Sequence, residues 1–187
     1  AQVVFHLGAH FAWGLSLEHS RAINVEGAKR AALLAAEQNS RLVMIGGYML
    51  QNHEHLQRIG IDPRYPELTN WPAVYRHVGG YEGSKLEAHF ATLEVMAAKG
   101  GEITVVHPAT VCGHSRTGHI LDGQPLVELI RNLVQGKLTA VPGTAEHWLP
   151  LVTVDHLVEL MAVCAFDPAM VGQELLALDD QTPNLRE

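Results

Sequence analysis

Leu42-Val43-Met44-Ile45-Gly46-Gly47 is the stretch on which the fold turns. Four apolar residues without polar alternation, stopped by two glycines, read as a strand buried on both faces. Such strands belong to parallel sheets covered by helices on either side. The upstream flank repeats the theme. Val3-Val4-Phe5-His6 is a second short apolar run, followed by a turn at Gly8, and a helix is predicted over about residues 17–38. Within it Ile23, Gly27, Ala31 and Leu34 recur at three- and four-residue steps, while Glu26, Lys29, Arg30 and Glu37 point elsewhere. Downstream, residues 46–80 contain Pro63, Pro66, Pro72 and several histidines and read as a long irregular stretch, which points to a lid or substrate loop. A second long helix is predicted over residues 81–99, ended by Gly100-Gly101, and a third strand over 103–106, closed by Pro108.

The alternation continues to the end. Leu126, Leu129, Ile130, Leu133 and Val134 make an amphipathic helix, with Pro125 suited to its first turn and Gly136 to its stop, and its apolar stripe is expected to pack in the core. Residues 149–154 read as a strand leading to Asp155, an N-cap candidate for a helix over 156–165, and residues 174–178 as a last short strand. Strand and helix alternate almost throughout, so the expected fold class is α/β, a doubly wound parallel sheet. Ligands in such sheets bind beyond the carboxyl ends of the strands, which directs attention to Leu7 through His10, Gly46 through Leu50 and His107 through Gly113.

The chain has 187 residues, enough for one sizeable core, and 47% of them are apolar against 18% charged, which excludes disorder for most of its length. Thirteen Lys and Arg against 20 Asp and Glu leave a net charge of −7 at pH 7, with no basic run. A surface that tracks phosphates is therefore not expected, so nucleic acid and anionic membranes are excluded as partners. There is no run of the length a membrane helix needs and no signal-peptide pattern at the start, so the expected compartment is the cytoplasm. Cys112 and Cys164 lack metal-type spacing and are expected to be reduced and buried. The apolar start without an initiator Met is expected of a piece of a longer protein.

Tyr81 and Lys85 carry the chemistry. Four residues apart on one predicted helix, they share a face, and an ammonium close to a phenol favours the phenolate and lowers its pKa. A tyrosine so placed can donate or accept a proton. Pairs of this kind on solvated helix faces are common, and the context gives this one its weight: it opens a helix that follows a long loop and precedes a buried strand, with Ser84 just before the lysine.

Tyr81-Glu82-Gly83-Ser84-Lys85 resembles the YxxSK motif of the extended branch of the short-chain dehydrogenase/reductase superfamily, the NAD-dependent epimerase/dehydratase family. Val4-Phe5-His6-Leu7-Gly8-Ala9 is similar to its VxHLAA segment, Asn24-Val25-Glu26-Gly27 to its N-x-x-G, His107-Pro108-Ala109-Thr110-Val111-Cys112-Gly113 to its RPxxVYG, and Val152-Thr153-Val154-Asp155-His156 to its VxVDD. The motifs fall in the family's order over roughly residues 3–180. The resemblance implies a Rossmann-like domain over residues 1–113, and a substrate-binding portion over residues 114–187 interleaved with the last sheet elements. NAD or NADP is the implied cofactor, lined by Leu7, Gly8, Ala9, Pro108, Ala109 and Val111, with Lys85 on the nicotinamide ribose and Tyr81 exchanging a proton with a hydroxyl or carbonyl of a small-molecule substrate. Residues 46–80 and 118–150 would shape the substrate pocket, and a homodimer is implied through the helix that bears Tyr81.

Three departures accompany the resemblance. The family's GxxGxxG phosphate turn is absent, so its first strands are not expected in this sequence and dinucleotide binding is expected to be weak. Gly46-Gly47-Tyr48 stands where the family usually has a Ser or Thr, and this motivates the alternative of a catalytically degenerate module that senses a cofactor or binds a partner. His107 stands for the usual Arg, and His156 for the second Asp. Twelve histidines raise a metal hypothesis, with His53-Glu54-His55 and Cys112-Gly113-His114 as local candidates, but neither spacing matches a known ligand set and no metal is expected.

Overall fold

The computed structural model of the chain describes residues 2–12, 14–138, 140 and 143–184. Thr139, Val141 and Pro142, within the stretch expected to shape a substrate pocket, and residues 185–187 of the expected substrate-binding portion lie outside them. In chain order the main elements are β1 (Val3–His6), α1 (Leu17–Ser20), α2 (Glu26–Glu37), β2 (Arg41–Ile45), α3 (His53–Arg58), α4 (Trp71–Lys99), β3 (Ile103–Pro108), β4 (Thr110–Cys112), α5 (Pro125–Val134), β5 (Leu151–Thr153), α6 (Val154–Phe166) and β6 (Glu174–Ala177). The chain divides into two compact units. The first comprises Ala1–His107 and Met161–Leu176, the second Pro108–Leu160 and Ala177–Glu187.

The apolar runs form the expected strands. A four-stranded sheet has the order β1-β2-β3-β6, with β1 parallel to β2 in the register Val4↔Leu42 and β2 parallel to β3 in the register Leu42↔Ile103. Leu42, Val43 and Met44 are buried, as a strand covered on both faces requires. On one side of the sheet Leu42 and Met44 pack with Ala32 and Ala35 of α2 and Met96 of α4. The alanines let the helix approach closely. Ala88 of α4 packs on Val25 and Ala28 of the preceding helical segment, so the small-residue face of α4 is used within the chain.

Ser16 caps α1 by accepting the His19 N–H, and a π turn over Arg21–Val25 joins α1 to α2 and carries the buried Asn24. Two segments differ from the sequence reading. Residues 46–80 are not irregular: they hold 3₁₀ turns at Tyr48–Gln51 and Pro66–Leu68, the helix α3, and the first turns of α4. Leu50, Leu56, Ile59 and Ile61 from this stretch form a core with Val74 and Leu86 of α4, so apolar burial replaces the structure that proline-rich patterning concealed. α4 begins at Trp71, ten residues before the predicted start, with Asn70 accepting from the Ala73 N–H and Pro72 in the first turn. At Gly79 (φ 82°, ψ 173°) it breaks into two helical segments, a conformation open to glycine. Gly100 in the left-handed region ends it as predicted.

In the second unit β4 and β5 pair in parallel, with Thr110 opposite Leu151. Two expectations fail there. α5 has no buried residue, and its apolar stripe is exposed at Leu129, Ile130, Leu133 and Val134, so periodicity gave a helix but not a core helix. Asp155 lies inside α6 and does not cap it; its carboxylate accepts from the Ser115 N–H (2.9 Å) and the Ser115 hydroxyl (2.5 Å). Cys112 and Cys164 are free thiols, Cys164 buried and Cys112 only partly so. Among the described residues no helix is long and apolar enough to cross a membrane.

Candidate active site

The parallel registers bring the carboxyl ends of β1, β2 and β3 to one edge, since His6 lies opposite Met44 and Ile45 opposite Val106. Lys85 reaches that edge from α4. Its Nζ donates to the Ile45 carbonyl at 2.8 Å, the side chain is almost fully buried, and burial lowers its pKa to about 8. Burial, and after it the charge of the same ammonium, depress the pKa of the His6 imidazole. Tyr81, one turn before Lys85, is half-buried and meets Phe11 edge-to-face at 4.7 Å between ring centroids. The sequence reading expected Lys85 to pull this phenol down. Burial instead pushes it up, with the ammonium turned to the Ile45 carbonyl.

The segment after β1 is tied to the start of this helical stretch by Asn24. Its side-chain amide donates to Ser84 Oγ (2.8 Å) and to the His10 carbonyl (3.1 Å), and its oxygen accepts the His10 N–H (2.6 Å). Ser84 Oγ in turn donates to the Tyr81 carbonyl at 2.9 Å. Leu7, Gly8 and Ala9 precede this tie and are exposed, and the space where a Cβ at Gly8 would stand is open. Two glycines of the region are required by close approach. A Cβ at Gly80 would lie 2.2 Å from the Leu15 carbonyl oxygen, and one at Gly83 2.9 Å from the Tyr75 ring. That ring is fixed by a hydrogen bond from its hydroxyl to Glu87 (2.8 Å), whose other oxygen pairs with Arg21 at 2.6 Å. Glu82 pairs with His55 at 2.5 Å.

The structure thus brings Tyr81, Ser84, Lys85 and the segment carrying Leu7, Gly8 and Ala9 together in the first unit. Pro108, Ala109 and Val111 belong to the second unit, where Ala109 is buried and its N–H donates to the Ala177 carbonyl.

Sequence reasoning missed a cluster one turn beyond Lys85. Among the described residues one group of three metal-type side chains occurs, His89, His107 and Glu174, whose ligand atoms lie within 4.8 Å of one another. The local candidates His53-Glu54-His55 and Cys112-Gly113-His114 are not part of it; His114 instead lies 3.8 Å from Asp155. His107 Nδ1 accepts the Gly47 N–H at 3.3 Å, which leaves the ring proton on Nε2, 2.9 Å from Glu174 Oε2. A ring in that tautomer is a donor to the carboxylate and has no Nε2 lone pair for a cation. The trio is therefore read as a hydrogen-bonded cluster. His89 Nε2 stands 3.7 Å from the other Glu174 oxygen, its Nδ1 is buried without a partner among the described residues, and burial lowers its pKa to about 4. His89 and Glu174 also line a groove of about 550 Å³ with Leu50, Leu56, Pro63 and Phe90. The sequence signal was present but misleading, because His107 read only as a replacement for the family's Arg, and Glu174 lies 67 residues further on.

A family model described as NAD_binding_4, Male sterility protein, matches residues 1–161. No curated protein matches the sequence. Among solved structures, the terminal R domain from the myxalamid PKS-NRPS biosynthetic pathway is similar at TM-score 0.71 and 22% identity, over 96% of this chain and 44% of that one. UDP-glucuronic acid 4-epimerase from Bacillus cereus in complex with NAD follows at 0.68 and 14%, over 98% and 56%. A short-chain dehydrogenase/reductase superfamily protein from Agrobacterium tumefaciens with bound NAD gives 0.66 and 15%, over 98% and 62%. At such identities the likeness shows the fold, and this chain spans between 44% and 62% of the lengths of these three proteins. With the family model covering most of its length and the Rossmann-like sheet in place, the chain belongs to the NAD_binding_4 (male sterility protein) family of the extended short-chain dehydrogenase/reductase superfamily.

Proposed function

We propose that the chain carries the proton-transfer part of an NAD(P)-dependent oxidoreductase or epimerase/dehydratase-like enzyme, acting on a hydroxyl or carbonyl group of a small molecule through Tyr81 and Lys85. The observation that carries this reading is the buried Lys85 ammonium, anchored on the Ile45 carbonyl at the strand ends one helical turn from Tyr81. A buried ammonium with one of its three donors engaged has two left for an oxygen-rich ligand. A pKa of about 8 keeps it mostly charged at neutral pH.

The residues fit a dinucleotide at its ribose end, because Leu7, Gly8 and Ala9 are exposed beyond β1 and nothing fills the space over Gly8. When bound, NAD or NADP supplies the hydride donor or acceptor. Lys85 would hold ribose hydroxyls, and the open backbone at Gly8 would let the ligand lie against the chain. Tyr81 would hold the exchangeable proton at its phenol oxygen. Because burial keeps that phenol protonated, it is suited to giving a proton to a carbonyl oxygen as negative charge builds there, which favours the reductive direction.

The test is a calorimetric titration of the chain with NADH and NADPH, followed by hydride transfer to a panel of carbonyl compounds. Tyr81→Phe should lower turnover by about 10² to 10⁴ while leaving dinucleotide affinity in place. Turnover equal to that of the unaltered chain would remove Tyr81 from the mechanism, and dinucleotide binding without turnover on the whole panel would favour a cofactor-sensing module. A cytoplasmic location and a homodimer belong to the same reading, the latter checked by light scattering.

A further inference from the structure

The backbone Ile45-Gly46-Gly47 at the end of β2 is gripped from two sides. On one side Lys85 Nζ donates to the Ile45 carbonyl at 2.8 Å. On the other the Gly46 N–H donates to the Val106 carbonyl at 2.8 Å, and the Gly47 N–H to His107 Nδ1 at 3.3 Å. His107 is fully buried, and its Nε2–H is fixed on Glu174. The ring also fills space: a Cβ at position 46 would lie 2.4 Å from its Nδ1 and 2.6 Å from its Cε1, closer than any side chain could stand. Gly46 at the end of β2 and His107, which stands where the family has arginine, are thus in one packing contact.

We propose that His107 is a positioning residue of the candidate active site: braced by Glu174, its ring holds the Ile45-Gly47 backbone on which Lys85 is anchored, and it excludes any side chain from position 46. The inference rests on the role given to Lys85 above. The neighbours that face the ring are His89, at 5.5 Å between centroids, and Glu174. His89 makes no hydrogen bond to the turn through its unpartnered Nδ1, so the grip on Gly47 falls to His107.

The test reads both ends of the grip by NMR on the full chain, through exchange of the Gly47 amide and titration of a ¹³C-labelled Lys85. His107→Phe keeps the bulk and removes both hydrogen bonds. Gly47 exchange should rise about tenfold, the scale of one lost hydrogen bond. The Lys85 titration should move up from about 8 towards the ordinary lysine value as the turn loosens and water enters. His107→Gln, whose amide oxygen can accept from Gly47 and whose NH₂ can donate to Glu174, should restore both signals, which a role in bulk packing alone would not predict. Should His107→Phe fail to fold, Glu174→Ala at a part-exposed side chain loosens the ring from its other end, with the same two changes at about threefold. Unchanged Gly47 exchange and unchanged Lys85 titration in the readable variant would overturn the proposal. If both change while the unaltered chain neither binds a dinucleotide nor transfers hydride, the grip on Lys85 stands and the functional reading above falls.

Discussion

Helices α4 and α5 have opposite relations to their sequences. α5 shows a regular apolar stripe, yet Ile130 and Val134 are 51% and 82% exposed and none of its residues is buried. α4 has no single apolar face, yet it buries twelve residues, among them Ser84, Lys85, Glu87, His89 and Thr92. A stripe reports that a helix has something to cover. For three of these polar residues, neighbours are arranged to receive the polar group, Asn24 for Ser84, Ile45 for Lys85, and Arg21 with Tyr75 for Glu87, whereas His89 Nδ1 and Thr92 Oγ1 have no hydrogen-bond partner among the described residues. Burying such groups without partners costs free energy, so a helix that does it repeatedly depends on what its neighbours supply.

The contrast is broken most directly by removing apolar volume from α4. Leu86 is fully buried in the cluster with Leu50, Leu56, Ile61 and Val74, and Leu86→Ala should cost about 2 to 5 kcal/mol in urea unfolding. A loss below 1 kcal/mol would mean that α4 is not packed as described. Next in size is the pH dependence of α4. His89 has its pKa lowered to about 4 by burial, from 6.5. The unfolded chain therefore takes up the proton first, and stability falls as pH drops from about 6.5 through about 4, by about 3 kcal/mol in all. Glu174 acts in the same sense, because the hydrogen bond from His107 lowers its pKa and that stabilisation is lost on acidification. Thermal unfolding between pH 7 and pH 4 should show the slope, and His89→Gln should reduce it to the smaller part due to Glu174; a slope of unchanged size after the substitution would move its origin to another group.

Gly83→Ala sharpens the comparison further. Alanine would add about 1 kcal/mol of helix propensity at this position, but its Cβ would meet the Tyr75 ring at 2.9 Å, and the ring is held by Glu87. A net loss of about 1 to 2 kcal/mol is expected, and a net gain would show that the ring can yield. The smallest effect belongs to α5. Ile130→Ala should change stability by less than about 0.5 kcal/mol, as at an ordinary surface position, and a larger loss would show that the exposed stripe is covered in solution.

Much of this was legible in the residues. The strands at Val3, Leu42 and Ile103 were readable because continuous apolar runs bounded by glycine or proline leave few alternatives, and the Tyr81-Lys85 spacing placed both side chains on one helix. The helical content of residues 46–80 was concealed because α3, capped by Asn52, and the segment of α4 that runs from Trp71 to the break at Gly79 carry too few turns for a period to show. The direction of the Tyr81 shift was misread for a different reason. Proximity in sequence says that an ammonium is near, but the effect depends on where that ammonium points and how much water remains.

By itself, then, the sequence determined the alternation of elements, the parallel α/β class, the family and the helix that bears Tyr81 and Lys85, since all of these follow from local periodicity and from motifs in order along the chain. The tertiary structure alone decided which groups meet across 40 to 67 residues: Lys85 on the Ile45 carbonyl and His107 between Gly47 and Glu174. The reason is physical. Local pattern encodes which face of an element is buried, whereas the hydrogen-bond partner of a buried polar group is fixed by strand register and helix packing, which exist only once the sheet has formed.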